Sequence, residues 1–269
     1  MRHATKQSLI TGIVKLLEDQ YDTKISHQDP LRSNLINTIN DALDESSTSK
    51  LQDKNVTILL SDLRGFTAMA EKYSALELIE VLNNYFLKMS QVIQKYGGTI
   101  DKFMGDAIMV LFGAPDSADD DLERCLACAI EMQIAMSEFN IENQANNYPP
   151  LFMGIGINTG HVVAGNLGSY IHTEYTVIGD EVNLASRVEA HSLRGQILIS
   201  ESCYQQAQSY IEIGDENSVR VKGKTKPVIL YELISTNRPK ELTTPRSEVR
   251  KSPRIEMDAP LAFHCLDGK

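Results

Sequence analysis

No apolar run in this chain approaches the roughly 18 residues that a membrane-spanning helix needs. The sequence therefore predicts no membrane span. The basic start, Met1-Arg2-His3-Ala4-Thr5-Lys6-Gln7, does not lead into an apolar signal core with a small-residue cleavage site. A cytoplasmic protein is expected. Positive charge is in deficit: 26 Lys and Arg stand against 36 Asp and Glu, a net charge of −10. Such a surface disfavours broad contact with nucleic acid or anionic lipid, though it allows a local basic pocket. Cysteine is sparse, with four residues at Cys125, Cys128, Cys203 and Cys265. Cys125 and Cys128 form a lone C-x-x-C within a helical pattern. A zinc site would need two more ligands at suitable spacing, and none is nearby, so the pair is expected to act as small buried hydrophobes.

What is present begins with two aspartates. Asp62 closes the apolar run Asn55-Val56-Thr57-Ile58-Leu59-Leu60-Ser61. Asp106 follows a short turn after Thr99-Ile100-Asp101-Lys102-Phe103-Met104-Gly105, and a second apolar run, Ala107 to Phe112, comes next. A strand-end carboxylate facing one at a hairpin tip is a hard oxygen-donor pair suited to Mg²⁺. Each Asp alone would also fit a cap or a turn.

The 269 residues suit one moderately sized domain plus extensions. Residues 1–50 read as a helical extension and linker. Leu9, Ile13, Leu16 and Leu17 lie at helical spacing, and Asp29 is placed to cap a helix starting at Pro30. Leu31, Leu35, Ile39 and Leu43 then mark an apolar stripe that needs a partner surface. From Asn55 the pattern predicts a strand over 55–61. A helix over 75–96 follows, with Leu76, Ile79, Leu82, Phe86, Met89 and Ile93 as its apolar positions and Gly97-Gly98 as its C-cap. Next come a strand hairpin over 99–103 and 107–112 and a helix over 119–142. A second hairpin is expected over 152–157 and 161–165, turning at Asn158-Thr159-Gly160. A strand over 173–178, a helix over 181–190 and short strands at 197–199, 218–221 and 228–233 complete the pattern. This order predicts an α+β fold: a ferredoxin-like split βαβ antiparallel sheet with helices on one face and the other free to bind. The domain is expected over 51–235, followed by a tail over 236–269.

Five motifs carry a resemblance to a known family. They are Leu60-Ser61-Asp62-Leu63-Arg64-Gly65-Phe66-Thr67 and Asp101-Lys102-Phe103-Met104-Gly105-Asp106-Ala107, then Gly154-Ile155-Gly156-Ile157-Asn158-Thr159-Gly160. Tyr175 to Arg187 and Val221-Lys222-Gly223-Lys224 follow in order. Over roughly residues 53–235 the chain resembles the class III adenylate and guanylate cyclases. The resemblance implies two Mg²⁺ ions per site, with Mn²⁺ as a possible substitute, held by Asp62, Asp106 and the backbone carbonyl of Leu63. One ion would activate the ribose 3′-hydroxyl and the other would hold the polyphosphate. No separate protein base is then needed. Backbone N–H groups at the junction of Gly65, Phe66 and Thr67 would meet phosphate oxygens.

The resemblance also assigns Lys102 and Thr176 to the purine edge. Lysine only donates and fits adenine N1, while Thr176 can accept from the exocyclic amine. ATP is therefore expected rather than GTP, because guanylate cyclases typically carry Glu in place of Lys102. Asn183 and Arg187 lie four residues apart on one helix face. The resemblance gives Asn183 to the ribose and Arg187 to the transferring phosphate, with Lys224 near the terminal phosphates. Sites in this family form between two domains, so a homodimer with two shared sites is implied. The expected activity is conversion of ATP to 3′,5′-cyclic AMP and pyrophosphate in intracellular signalling. A guanylate cyclase is the alternative enzyme, and a non-catalytic nucleotide-binding signalling dimer is an alternative of another class. A diguanylate cyclase would need a Gly-Gly-Asp/Glu-Glu-Phe turn, which Gly105-Asp106-Ala107 does not provide. In the tail, Arg250-Lys251-Ser252-Pro253-Arg254 is similar to the opening of a PilZ domain, which implies cyclic di-GMP binding only if the rest of such a domain follows.

Overall fold

The computed structural model describes Gly12 and residues 51–169, 173–219 and 227–245. The apolar stripe from Leu31 to Leu43, both Lys222 and Lys224, and the PilZ-like tail segment lie outside the described residues. The chain divides into two compact units. One comprises residues 1–54 and 162–178, the other residues 55–161 and 179–269.

The larger unit holds the elements that carry most of the predicted site. Strand β1 (Gln52–Arg64) leads through Gly65 into the short helix α1 (Phe66–Ala70) and then α2 (Ala75–Lys95). Ser74 and Glu77 form a capping box at the start of α2, satisfying N–H groups that lack helical partners. At its end the Gly98 N–H reaches back to Ile93 O while Gly97 takes a positive φ of 69°. Glycine suits this left-handed turn, which closes the helix. Gly98 is also fixed by packing, since a Cβ there would stand 2.7 Å from the Phe112 ring. Strands β2 (Thr99–Met104) and β3 (Ala107–Phe112) form the predicted hairpin, followed by α3 (Asp121–Ala145). Then come β4 (Phe152–Gly168) and β5 (Thr173–Ile178), of which residues 162–178 belong to the smaller unit, and α4 (Asp180–His191), β6 (Ile197–Ser200), α5 (Glu201–Ala207), β7 (Ile211–Val219), β8 (Val228–Thr236) and β9 (Leu242–Thr243).

The sheet runs β2-β3-β1-β4-β6-β8-β7, with β5 on β4 and β9 on β8. Its pairings are antiparallel except for β4 with β6, among those with a described register. This is the expected α+β arrangement. Period-two alternation sorts its side chains. Leu59, Ile108, Val110, Phe112, Met153, Ile155, Ile157, Ile197 and Ile199 enter one core with Tyr85, Met89, Ile93, Leu126, Ile130 and Phe139 of α2 and α3. Cys125, Cys128 and Cys203 join it as buried free thiols, as expected for the C-x-x-C pair.

Three details differ from the sequence expectation. First, the predicted second hairpin does not form in the larger unit. Residues 152–168 are one continuous strand, and Asn158 and Thr159 are buried within it. The Asn158 amide donates to the backbone O and the Oε2 of Glu181, and the Thr57 hydroxyl donates to Thr159. Turn-forming residues are thus satisfied by long-range partners. The reversal comes later, where β4 from Val163 to Gly168 pairs with β5 inside the smaller unit. Second, Leu76 and Ile79 are 80% and 55% exposed, and the buried stripe of α2 runs instead through Val81, Tyr85, Met89, Val92 and Ile93. Third, α4 lies on the sheet face opposite α2 and α3. There Val188 packs with Leu198 and Leu230, whereas Ile197 and Ile199 face the other way.

Small residues on β4 explain how α4 gets so close. Gly154, Gly156, Asn158 and Gly160 share one face of the strand. A Cβ on Gly156 would lie 2.7 Å from Glu189 Cβ and closer still to Glu189 N and Cα. A Cβ on Gly160 would lie 2.8 Å from Glu181 Cγ. Helix α4 therefore rests almost on the strand backbone.

Candidate active site

Asp62 stands near the end of β1, on the face that also bears α4. Leu59 points into the α2–α3 core, so Leu60, Asp62 and Arg64 alternate to the opposite side. Leu63 is itself buried in that core, which leaves its backbone as its only polar offering. Asp106 sits in the tight turn between β2 and β3, after Gly105 with φ 66°. Burial raises the Asp106 pKa, and the nearby charge of Asp62 raises it further. The fold thus brings the two predicted metal aspartates within electrostatic reach. Among the described residues no group of three or more His, Cys, Asp or Glu side chains could hold a metal. Two like charges held together, one already pushed toward protonation, form a donor set that a divalent cation would relieve. On that chemistry the residues fit Mg²⁺ or Mn²⁺.

Lys102 reaches the same face by way of a β-bulge. Ile100 pairs with Val110, yet Lys102 pairs with Met109, so Asp101 is an extra residue in β2. Met109 is opposite Leu60 on β1, which places Lys102 on the side of Asp62. Without the bulge Lys102 would oppose Ile108 and point into the core. The Asp101 side chain is 1% exposed, with Oδ2 3.4 Å from Lys102 Nζ. Sequence reading identified Lys102 but not the bulge that aims it.

Gly65 adopts φ 88°, ψ 5°, the left-handed conformation that lets β1 turn into α1. Phe66 and Thr67 begin that helix, and Phe66 packs against the main core. On α4, Ala185 and Val188 are buried, Asn183 is exposed and Arg187 is half-buried. Neither the Asn183 nor the Arg187 side chain has a hydrogen-bond partner among the described residues. Thr176 belongs to the smaller unit, where it is buried on β5 and pairs with Gly165 of β4.

Arg64 was not singled out in the sequence, and it makes four side-chain hydrogen bonds on this face. Its Nη1 donates to Asp62 Oδ2 at 2.9 Å. Its Nη2 donates to Glu189 O at 2.8 Å, Glu189 Oε1 at 2.5 Å and Ser192 Oγ at 3.0 Å. Gly154 makes room for it, since a Cβ there would stand 2.6 Å from Nη2. Burial raises the Glu189 pKa and the Arg64 charge opposes that rise. A signal existed in the sequence, an Arg two residues after Asp62, but its partner is 125 residues away. Two cavities, of about 540 Å³ beside Leu193 and Glu232 and about 410 Å³ between α2 and α3, contain none of the predicted site residues.

Comparison with known proteins follows the same outline. Residues 48–235 match the family model described as the adenylate and guanylate cyclase catalytic domain. A protein named adenylate cyclase from Anabaena cylindrica is 38% identical over 189 residues, covering 67% of this chain and 37% of that protein. The crystal structure of the guanylyl cyclase Cya2 is 45% identical with a TM-score of 0.70, covering 72% of this chain and 99% of that one. The adenylyl cyclase CyaB from P. aeruginosa is 41% identical with a TM-score of 0.68, covering 70% of this chain and 98% of that one. The chain spans little more than a third of the length of the Anabaena relative, and less of others.

Proposed function

Because the chain belongs to the adenylate and guanylate cyclase catalytic domain family, we propose that it converts ATP to 3′,5′-cyclic AMP and pyrophosphate. The observation that carries this reading is the Asp62–Asp106 pair, electrostatically coupled, with a bulge-turned Lys102 on the same sheet face.

Asp62, Asp106 and the Leu63 carbonyl would hold two Mg²⁺ ions. Bound there, the ions would supply acidity to the ribose 3′-hydroxyl and charge neutralisation to the polyphosphate. Lys102 would donate to adenine N1, and Thr176 would accept from the exocyclic amine. The backbone at Gly65, Phe66 and Thr67 would meet phosphate oxygens. Asn183 would orient the ribose. Arg187 would stabilise charge on the transferring phosphate, a contribution on the order of 10³ in rate. Lys224 would reach the terminal phosphates.

We infer a cytoplasmic homodimer acting in intracellular signalling. Supporting the dimer, the Asn183 side chain is exposed and that of Arg187 half-buried on α4. A two-fold axis would present them to a partner's aspartates and generate two equivalent sites. No helix among the described residues is long and apolar enough to cross a membrane.

Guanylate cyclase is the second reading, favoured by the 45% identity to a guanylyl cyclase structure. Lys102 weighs against it, because guanine N1 is a donor and would face another donor. Purified protein given ATP or GTP with Mg²⁺ or Mn²⁺, its products resolved by chromatography, tests the proposal. Cyclic AMP is the expected main product, and dominant cyclic GMP would overturn the assignment of the base.

A further inference from the structure

We propose that Arg64 is a positioning residue for Asp62, and that Glu189 cancels the charge Arg64 would otherwise bring to the metal site. This rests on the cyclase reading above. Three observations lead to it. The guanidinium takes one oxygen of Asp62, Oδ2, which leaves Oδ1 for a metal ion and restricts rotation of the carboxylate. The same guanidinium is anchored on the C-terminal end of α4 by Glu189 O, Glu189 Oε1 and Ser192 Oγ. The side chains of Arg64 and Glu189 are only 22% and 13% exposed, so their charges are poorly screened by solvent.

An unpaired cation beside Asp62 would repel the metal that Asp62 is there to bind. The Glu189 carboxylate removes that conflict. The Arg64–Glu189 pair is neutral as a whole and still donates a directed hydrogen bond. Partners that orient a metal ligand in this way typically govern affinity or activity by about 10-fold to 100-fold.

The clamp has a second consequence. It joins Asp62 to the helix that carries Asn183 and Arg187. In the proposed dimer these belong to different active sites. Each Arg64–Glu189 pair thus fixes the metal-binding half of one site relative to the phosphate-binding half of the other.

The test uses the full chain and two readouts. One is kcat with ATP. The other is direct Mn²⁺ binding by electron paramagnetic resonance, with a non-cleavable ATP analogue present. Glu189→Gln keeps Arg64 but exposes its charge, and Mn²⁺ affinity is expected to fall about tenfold. Arg64→Ala removes the orienting donor while leaving the anion. Its kcat is expected to fall at least tenfold, with Mn²⁺ affinity no weaker than wild type. The double variant Arg64→Ala/Glu189→Gln restores neutrality, so Mn²⁺ affinity should return to within about threefold of wild type while kcat stays low. A merely structural pair would lower the melting temperature in all three variants and leave Mn²⁺ affinity of the folded protein equal in all. That result overturns the proposal, as does an Arg64→Ala kcat within twofold of wild type. A wild type that neither binds Mn²⁺ nor makes cyclic nucleotide would instead overturn the cyclase reading, and the proposal with it.

Discussion

Replacing Gly156 by alanine should lower both the stability and the activity of this protein. The added Cβ would stand 2.7 Å from Glu189 Cβ and closer to Glu189 N and Cα, against a floor of 3.0 Å for real Cβ contacts. The nearest atoms are helix backbone, so no side-chain rotation relieves the clash. Helix α4 must move off β4 by an amount on the order of 1 Å to reach ordinary contact. That shift carries Asn183 and Arg187 on the same rigid helix and pulls on Arg64 through Glu189. Overpacking of this kind costs about 1–3 kcal/mol of stability. If Asn183 and Arg187 orient the substrate as proposed, a displacement of about 1 Å costs on the order of 100-fold in rate. Urea denaturation would measure the first effect and steady-state cyclic AMP formation the second, at a temperature where the variant is fully folded. If Gly156→Ala keeps kcat within about threefold of wild type, the close docking of α4 does not position catalytic groups. If stability is also unchanged, the close approach of α4 to β4 is itself wrong.

Three further outcomes are expected. Asp106→Ala and Arg187→Ala should each be inactive alone, yet an equilibrated mixture should recover about a quarter of the wild-type rate, since half the dimers would each carry one intact site of two; no recovery, with subunit exchange verified, would refute the shared site. Lys102→Glu should shift the ATP-to-GTP preference toward GTP by at least about tenfold in kcat/KM, measured with both nucleotides in competition. At Glu131, burial alone would raise the carboxyl pKa, but hydrogen bonds from Lys95, Tyr96 and Lys240 carry it down to about 2. A lowered folded pKa contributes stability above the ordinary carboxylate range and loses it as pH falls toward 2. Glu131→Gln should therefore cost on the order of 1 kcal/mol at pH 7, allowing for solvent screening, and flatten the decline in stability between about pH 4.5 and pH 2. Thermal melts across that range would check it.

Much of the fold was legible because its signals are local. The β2–β3 hairpin showed in the short turn before Asp106 and the apolar run from Ala107 to Phe112 that follows it. The end of α2 showed in Gly97-Gly98, which proved to be a working cap, whereas the capping box of Ser74 and Glu77 at its start was not read in the sequence. Cys125 and Cys128 matched the small-hydrophobe reading, and both are fully buried. The misreadings share a cause. Asn158-Thr159-Gly160 has the composition of a turn, and only contacts with Glu181 and Thr57 make it the middle of a strand. Leu76 and Ile79 fit a helical stripe as well as Val81 and Tyr85 do. Which stripe is buried depended on where α3 and the sheet lie, and periodicity carries no such information.

At the candidate site, the sequence by itself determined the residue types and their order: two carboxylates, a lysine before a turn, and an Asn and an Arg one helical turn apart. That followed from covalent spacing, which tertiary contacts do not alter. Only the tertiary structure decided which way those groups face. The bulge at Asp101 turns Lys102 out of the core and onto the side of Asp62. The glycines of β4 let α4 settle on that same face. Arg64 then finds Glu189 and Ser192 across more than a hundred residues of chain. A strand's facing reverses with every one-residue slip in pairing, and pairing is fixed by partners distant in sequence. The chemistry was therefore written locally, and its aim was set by contacts that no local pattern encodes.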